Sequence, residues 1–174
     1  MLRKIISGGQ TGADRAGLDF AIETGLEHGG YVPKGRKAED GRIADRYILV
    51  ELRTSSYPAR TRKNIEESDG TVIFSRERFL SRGTKLTRDY AHKLGKPVLH
   101  IYDTRKERIP NPDSLRLEIQ ALTDFLRSNK IAVLNVAGPR ESNEPGVYEW
   151  TLNMLRCFLS RTVSVAGSAD AARQ

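Results

Sequence analysis

The strongest constraint on the fold is an alternation of short apolar runs with longer amphipathic stretches, with a glycine-rich segment at the first junction. "KIISGGQTGADRAGLDFA" (4–21) passes from apolar Ile5 and Ile6 through Gly8, Gly9 and Gly12 into a helical pattern. Leu18, Ile22 and Leu26 then fall four residues apart, which predicts one helical stripe. Thr11 followed by Asp14 reads as a capping box, placing the helix start inside the glycine loop. A plain strand-to-helix connection needs one glycine at most. Here Gln10, Thr11, Asp14 and Arg15 are packed among three, which points to a loop that holds something.

The alternation continues to the far end. "GGYVP" predicts a short second strand and "YILVEL" (Tyr47–Leu52) a stronger one, followed by a helix over Arg60–Ser68. "TVIFS" (Thr71–Ser75) reads as a buried parallel strand. The next helix aligns Leu86, Tyr90 and Leu94 and stops at Gly95, with Pro97 beyond it. "PVLHIY" is another strand, and Pro110 and Pro112 mark a loop. A helix with Leu115, Ile119, Leu122 and Leu126 aligned follows, then the strand "IAVLNVAG" (Ile131–Gly138). The last helix begins near Pro145 and Gly146, with Val147, Trp150, Met154, Leu155 and Phe158 as its core stripe. Past Ser160 the periodicity is lost, predicting a flexible tail over 161–174 behind a domain of residues 1–160. Strands separated by helices imply parallel βαβ units. The predicted architecture is a Rossmann-like, doubly wound α/β domain with a mostly parallel sheet.

Composition narrows the function classes. A chain of 174 residues is long enough to bury a real core in one domain. No apolar run reaches the roughly 18 residues of a membrane span, and "MLRKIIS" leads directly into a strand pattern, so neither anchor nor leader is expected. The single cysteine, Cys157, has no internal disulfide partner, and a reducing cytoplasm is the expected compartment. The net charge of +7 raises the question of nucleic acid. The basic residues are dispersed over Arg36–Arg46, Arg60–Lys63, Arg76–Arg88 and Arg105–Arg108, broken by acidic ones and rarely interleaved with aromatics. That pattern disfavours a base-stacking surface and favours a pocket for a small anionic molecule.

In doubly wound sheets the ligand lies beyond the carboxyl ends of the strands, where the strand order switches. The first loop offers Gly8, Gly9 and Gly12 for close backbone approach, a helix start, and Gln10, Thr11, Asp14 and Arg15. The second follows the strand ending at Ser75: Gly83, Thr84 and Thr87 open the next helix. The third, "NVAGPRES", brings Asn135, Gly138, Pro139, Arg140, Glu141 and Ser142, and an arginine there suits a phosphate or ring carbonyl. A fourth, "PKGRKAEDGR", holds Lys34 and Arg36 in a stretch that reads as a mobile loop able to close over an anion. The glycine spacing matches neither the dinucleotide nor the P-loop pattern. His28, His92 and His100 are scattered, so no side-chain metal centre is expected.

With these residues assembled, the chain resembles the putative molybdenum carrier family, the molybdenum-cofactor carrier proteins. These belong to the wider SLOG, lysine-decarboxylase-like Rossmann superfamily. The stretches that carry the resemblance are "GGQTGADRAGLDFA", "PKGRKAEDG", "RTRKNIEESDGTVIFS", "GTKLT" and "NVAGPRESNEPGVY", spanning Gly8 to Tyr148 in order. The resemblance implies binding of the pterin-based molybdenum cofactor for storage or delivery, with Gly9, Gln10, Thr11 and Gly12 against the cofactor and Thr84 and Arg140 as further contacts. It also implies a homo-oligomer, dimer or tetramer, and molybdoenzymes or cofactor-synthesis proteins as partners. One departure stands out: the family's usual glycine pair before the threonine is here Arg82 followed by Gly83.

The related phosphoribohydrolases use P-G-G-x-G-T-x-x-E, whose glutamate serves hydrolysis of an N-glycosidic bond. This chain reads "SRGTKLT", with Thr87 at the glutamate position, and a threonine is no carboxylate base at neutral pH. Asp14 and Glu141 are the carboxylates left near the expected pocket as weak catalytic candidates. The expectation is a binding protein for a pterin- or nucleotide-like anion; a hydrolase or sensor of a nucleotide derivative using the same loops is the alternative.

Overall fold

The computed structural model describes residues 2–104 and 114–171, with Ser114 and 162–171 as backbone alone. From the N-terminus, β1 (Lys4–Ile6) leads into α1 (Ala13–Thr24) and β2 (Glu27–Gly29). An excursion follows, made of β3 (Tyr31–Val32), the hairpin of β4 (Lys37–Ala38) and β5 (Gly41–Arg42), and β6 (Val50–Glu51). The chain continues through α2 (Tyr57–Glu66), β7 (Gly70–Ser75), α3 (Arg82–Lys93) and β8 (Val98–Tyr102). It ends with α4 (Ser114–Ser128), β9 (Val133–Ala137) and α5 (Val147–Ala171).

Five strands form one parallel sheet in the order β2-β1-β9-β7-β8. Side chains alternate between its faces. Val72, Phe74, Leu134 and Val136 point to one face and join Ile119, Leu122, Trp150 and Leu155 in the main core. There α5 packs on both α1 and α4, and the Phe74 and Trp150 rings meet edge to face at 5.9 Å. Thr71 and Asn135, opposite each other in register, project to the other face and share a hydrogen bond of 3.1 Å. On that face α2 packs against α3. The doubly wound, Rossmann-like expectation therefore holds.

The winding reverses across β9. From β1 the chain steps outward to β2, and from β7 it steps outward to β8 on the other side, with β9 inserted between the two halves. Moving the C-terminal β9–α5 unit in front of β1 turns this order into 3-2-1-4-5, the first five strands of the Rossmann order. The fold is a circularly permuted five-stranded Rossmann-like sheet. Its switch point lies where β1, β9 and β7 end together.

Several local expectations need correction. Beyond β2, "YILVEL" contributes only the two residues of β6, which pair with β3 in a separate small sheet, and Ile48 and Val50 are exposed. "GGYVP" does hold a short strand, β3, but the strand beside β1 is Glu27–Gly29, which ends on the first of those glycines. On α1 the N-cap is Gly12 rather than Thr11, and no side chain caps it. Of the expected stripe, Leu18 is buried with Val32, Ile43 and Tyr47 and Leu26 is partly buried, but Ile22 is exposed. Ala13, Ala16, Gly17, Phe20 and Ala21 face the main core, because the helix is pressed onto β9, where a Cβ on Gly17 would stand 2.7 Å from Val136. The second helix starts earlier than expected, at Tyr57, with Ser56 Oγ accepting from Ala59 N. The face α3 buries runs through Thr84, Thr87 and Ala91, while Leu86, Tyr90 and Leu94 are only partly buried. Backbone helix continues past Ser160 to Ala171. The Pro110–Pro112 loop lies outside the described residues.

Candidate functional site

The ends of β1 and β9 and the starts of α1, α2 and α3 enclose a cleft of about 380 Å³ at the switch point. That lies within the usual range for small-molecule sites. Glycines make the convergence possible. A Cβ on Gly138 would come within 2.2 Å of the Phe74 carbonyl oxygen, and one on Gly12 within 2.4 Å of the Pro139 carbonyl oxygen. These loops touch backbone to backbone.

Of the residues expected at the site, Gly8, Gln10, Asp14, Gly83, Thr84, Thr87, Asn135, Gly138, Pro139 and Arg140 line this cleft. Thr84 and Thr87 are buried, and their hydroxyls donate to Ser81 O (3.0 Å) and Gly83 O (3.2 Å). The others stand elsewhere. Gly9 faces Leu49, Ile43 and Val32 on the far side of its loop, and its carbonyl accepts from Arg15. Thr11, Gly12, Arg15 and Glu141 line a separate, more open hollow together with Asp19, Tyr47 and Tyr148. Ser75 is buried against His100 Nε2 at 2.7 Å and the Glu77 carbonyl at 2.7 Å.

The charged loop expected to close over a ligand is a structural hairpin. Arg36 is buried and donates to the carbonyls of Ile43, Leu49, Ala44 and Tyr47, which leaves it no reach to an anion. Lys34 is exposed and held through its backbone N–H to Thr54 O at 2.9 Å. At the hairpin tip, the Glu39 carboxylate accepts from the Thr11 hydroxyl and from the Ser142 hydroxyl and amide, the amide at 3.1 Å. Asp40 grips Arg15 at 2.7 Å. Three residues read as anion ligands, Thr11, Arg15 and Ser142, thus hold the chain's own acidic turn. Glu141 is also structural: its carboxylate accepts from Gly146 N (2.5 Å) and Tyr148 N (3.0 Å), satisfying backbone donors at the start of α5.

The principal residue missed by sequence reading is Arg60. From α2 it reaches across the cleft, and its Nη1 stands 2.9 Å from Asp14 Oδ2. The Gly8 position explains how it fits, since a Cβ there would lie 1.4 Å from Arg60 Nη1. In sequence Arg60 opens the basic run Arg60–Lys63 and heads "RTRKNIEESDGTVIFS", one of the stretches that carry the family resemblance, which was the signal that could have found it. Asp14 is buried, and burial pushes its carboxyl above the ordinary value, opposed by the Arg60 charge and the Gln10 N–H. Among the described residues it is the only carboxylate on the wall, against Arg60, Arg82 and Arg140. The cleft is cationic.

Among the described residues, two side chains of the wall, Gln10 and Arg60, each bury an N–H donor that has no partner. Gln10, 6% exposed, uses Oε1 to accept from Thr11 N (3.1 Å) and Glu39 N (2.9 Å), leaving Nε2 buried and unpaired. Arg60 Nε is likewise buried and unpaired. Orphaned buried donors are costly and rare in native structures. Among the described residues no three His, Cys, Asp or Glu side chains stand together as a metal group. No described helix is long and apolar enough to cross a membrane.

Fold and site together define a circularly permuted Rossmann-like α/β protein with a cationic cleft at its switch point. A profile described as the circularly permutated YpsA SLOG family matches residues 5–159, and the chain belongs to that family. Among solved structures, one named putative molybdenum carrier protein, from Syntrophus aciditrophicus SB, superposes with a TM-score of 0.84 at 46% identity. The match covers 91% of this chain and 95% of that one. No curated protein matches the sequence.

Proposed function

We propose that the chain binds a phosphate-bearing pterin- or nucleotide-type molecule in the switch-point cleft, and that this molecule is the molybdenum cofactor, held for storage or carriage. The observation that carries the reading is the charge of the cleft wall, where Arg60, Arg82 and Arg140 stand against one described carboxylate, Asp14. An anionic group offsets that excess of positive charge and accepts charge-assisted hydrogen bonds from guanidinium groups. The printed name of the neighbour from Syntrophus supports the choice of cofactor.

The residues fit the organic part of such a cofactor. Gln10, Arg60 and Arg140 would hold its anionic end, and Thr84, Thr87 and Asn135 offer polar groups along its length. The cofactor would bring the metal on its own sulfur ligands. Hydrolysis of a nucleotide is the second reading, because Asp14 is a buried carboxylate in the same cleft. Its tie to Arg60 and Thr87's place at the glutamate position of the related hydrolases both weigh against it.

Two measurements separate the readings. Protein isolated without oxygen from molybdate-supplied cells is expected to carry molybdenum and a fluorescent pterin in equal amounts. Incubation with AMP or GMP is expected to release no free base. Base release that disappears in Asp14→Asn would overturn the carrier reading in favour of the hydrolase.

A further inference from the structure

One strip of α2 forms a wall of the cleft. Tyr57, Arg60, Thr61 and Asn64 line it, and their spacing along the helix places them on one face. Exposure falls along that strip: Tyr57 is 38% exposed, the Arg60 side chain 14% and Asn64 2%. Tyr57 therefore stands nearest the mouth and Asn64 deepest. The hydrogen bond from Ala59 N to Ser56 Oγ, with Pro58 in the first turn, fixes the backbone that carries the ring. Among the described residues Tyr57 is the only aromatic side chain on the wall, with Pro58 beside it and Leu86 contributed by α3. The Arg60 guanidinium, itself held on Asp14, stands 5.9 Å from the ring centroid.

We infer that Tyr57 is the stacking platform for the fused-ring heterocycle of the ligand, a purine or a pteridine, and so the residue that selects ringed over ringless phosphate compounds. This rests on the reading of the cleft as a ligand site and adds which side chain receives the ring. A partly exposed aromatic face on a rigid helix start gains contact when a flat ring covers it, and has little conformational freedom to lose. Stacking of a heterocycle on an aromatic side chain tightens binding about tenfold. The cationic part of the strip lies one helical turn deeper, at Arg60, so it draws the anionic end of the ligand inward and leaves the ring at the mouth, over Tyr57.

The test uses the full chain and ¹H–¹⁵N NMR titrations at constant ionic strength with two pairs of probes: AMP against ribose 5-phosphate, and neopterin phosphate against glycerol 3-phosphate. Each pair shares a phosphate and differs by the ring. At least one ringed probe is expected to bind about tenfold tighter than its ringless partner. The pair with the larger advantage tells purine from pteridine. Tyr57→Ala is expected to abolish that advantage and to leave the affinity for the ringless probe within about twofold of wild type, whereas Tyr57→Phe keeps the advantage. In Tyr57→Trp, the fluorescence added to that of Trp150 is expected to be quenched by the favoured ringed probe and not by its ringless partner. Should Tyr57→Ala fail to fold, that quenching decides. Equal binding of ringed and ringless probes, an advantage that survives in Tyr57→Ala, or binding without quenching in Tyr57→Trp overturns the platform and leaves the cleft as an anion site. An equal loss of ringed and ringless probes in Tyr57→Ala means that Tyr57 acts only through Arg60, and overturns the platform as well. If none of the four probes binds, the reading of the cleft is overturned and the platform falls with it.

Discussion

Arg60 Nη1 stands 2.9 Å from Asp14 Oδ2 across the mouth of the first loop, joining the second helix to the first turn of α1. The pair is nearly buried, with side chains 14% and 5% exposed. Such a pair costs much desolvation, and its geometry serves to hold a cation in place more than to add stability. The held cation is the centre of the proposed site.

Arg60→Met should therefore act on stability and on binding separately. Leaving Asp14 buried without its partner is expected to cost about 3 kcal/mol in urea unfolding. The double variant Arg60→Met/Asp14→Asn should recover most of that loss while still failing to bind the ligand. Full recovery of binding in the double variant would contradict the assignment.

Gly8→Ala tests the same geometry from the backbone side. The new methyl group would overlap the guanidinium, the end of a flexible side chain, so the fold should survive at a cost of about 1–3 kcal/mol. Ligand affinity should drop as sharply as in Arg60→Met, and a crystal structure should find the guanidinium displaced. Gly138→Ala meets the Phe74 carbonyl instead, which cannot move aside, and should not accumulate as folded protein.

Acid should loosen the hairpin. Partial burial opposes ionisation of Glu39, but its hydrogen bonds from Ser142 and Thr11 outweigh this and hold its pKa below the ordinary 4.5. Arg15 holds Asp40 below the ordinary 3.8, and the N–H groups of Val133 and Ala132 do the same for Asp69. A carboxylate lowered in the folded state contributes stability that is complete above its unfolded pKa and is lost as pH falls through its folded pKa. Thermal unfolding midpoints should accordingly fall on going from about pH 5 toward pH 3. The slope should be shallower in Glu39→Gln.

The core gives a prediction independent of any ligand. Phe74 is fully buried and packs edge to face on Trp150. Phe74→Ala should lose about 3–5 kcal/mol in chemical denaturation. A loss below 1 kcal/mol would mean that this face of the sheet is not packed as described.

Much of this architecture was legible in the sequence because strong local signals coincide with it. "TVIFS" and "IAVLNVAG" are apolar runs that became β7 and β9, and Gly95 ends α3 as its left-handed backbone requires. The elements that misled were those decided by tertiary context. Glu27–Gly29 has no strand character of its own and is a strand because β1 lies beside it. "YILVEL" has strong strand character but meets only a two-residue partner. At the site, the glycines identified the converging loops, yet local sequence does not report which way a side chain turns. Arg36 resembles a free cation and is locked by four carbonyls, whereas Arg60 resembles surface charge and reaches into the cleft. The acidic turn at Glu39 and Asp40 was invisible as a partner of Thr11, Arg15 and Ser142, since those contacts span 25 to 103 residues.

The most direct measurement is mass spectrometry of the small molecules retained by wild type and by Arg60→Met/Asp14→Asn after parallel anaerobic isolation. Wild type should carry one phosphate-bearing pterin or nucleotide species that the folded double variant lacks. Equal retention by both proteins, or no such species on either, would contradict the assignment of Arg60 and Gln10 as the anion-holding groups of this cleft.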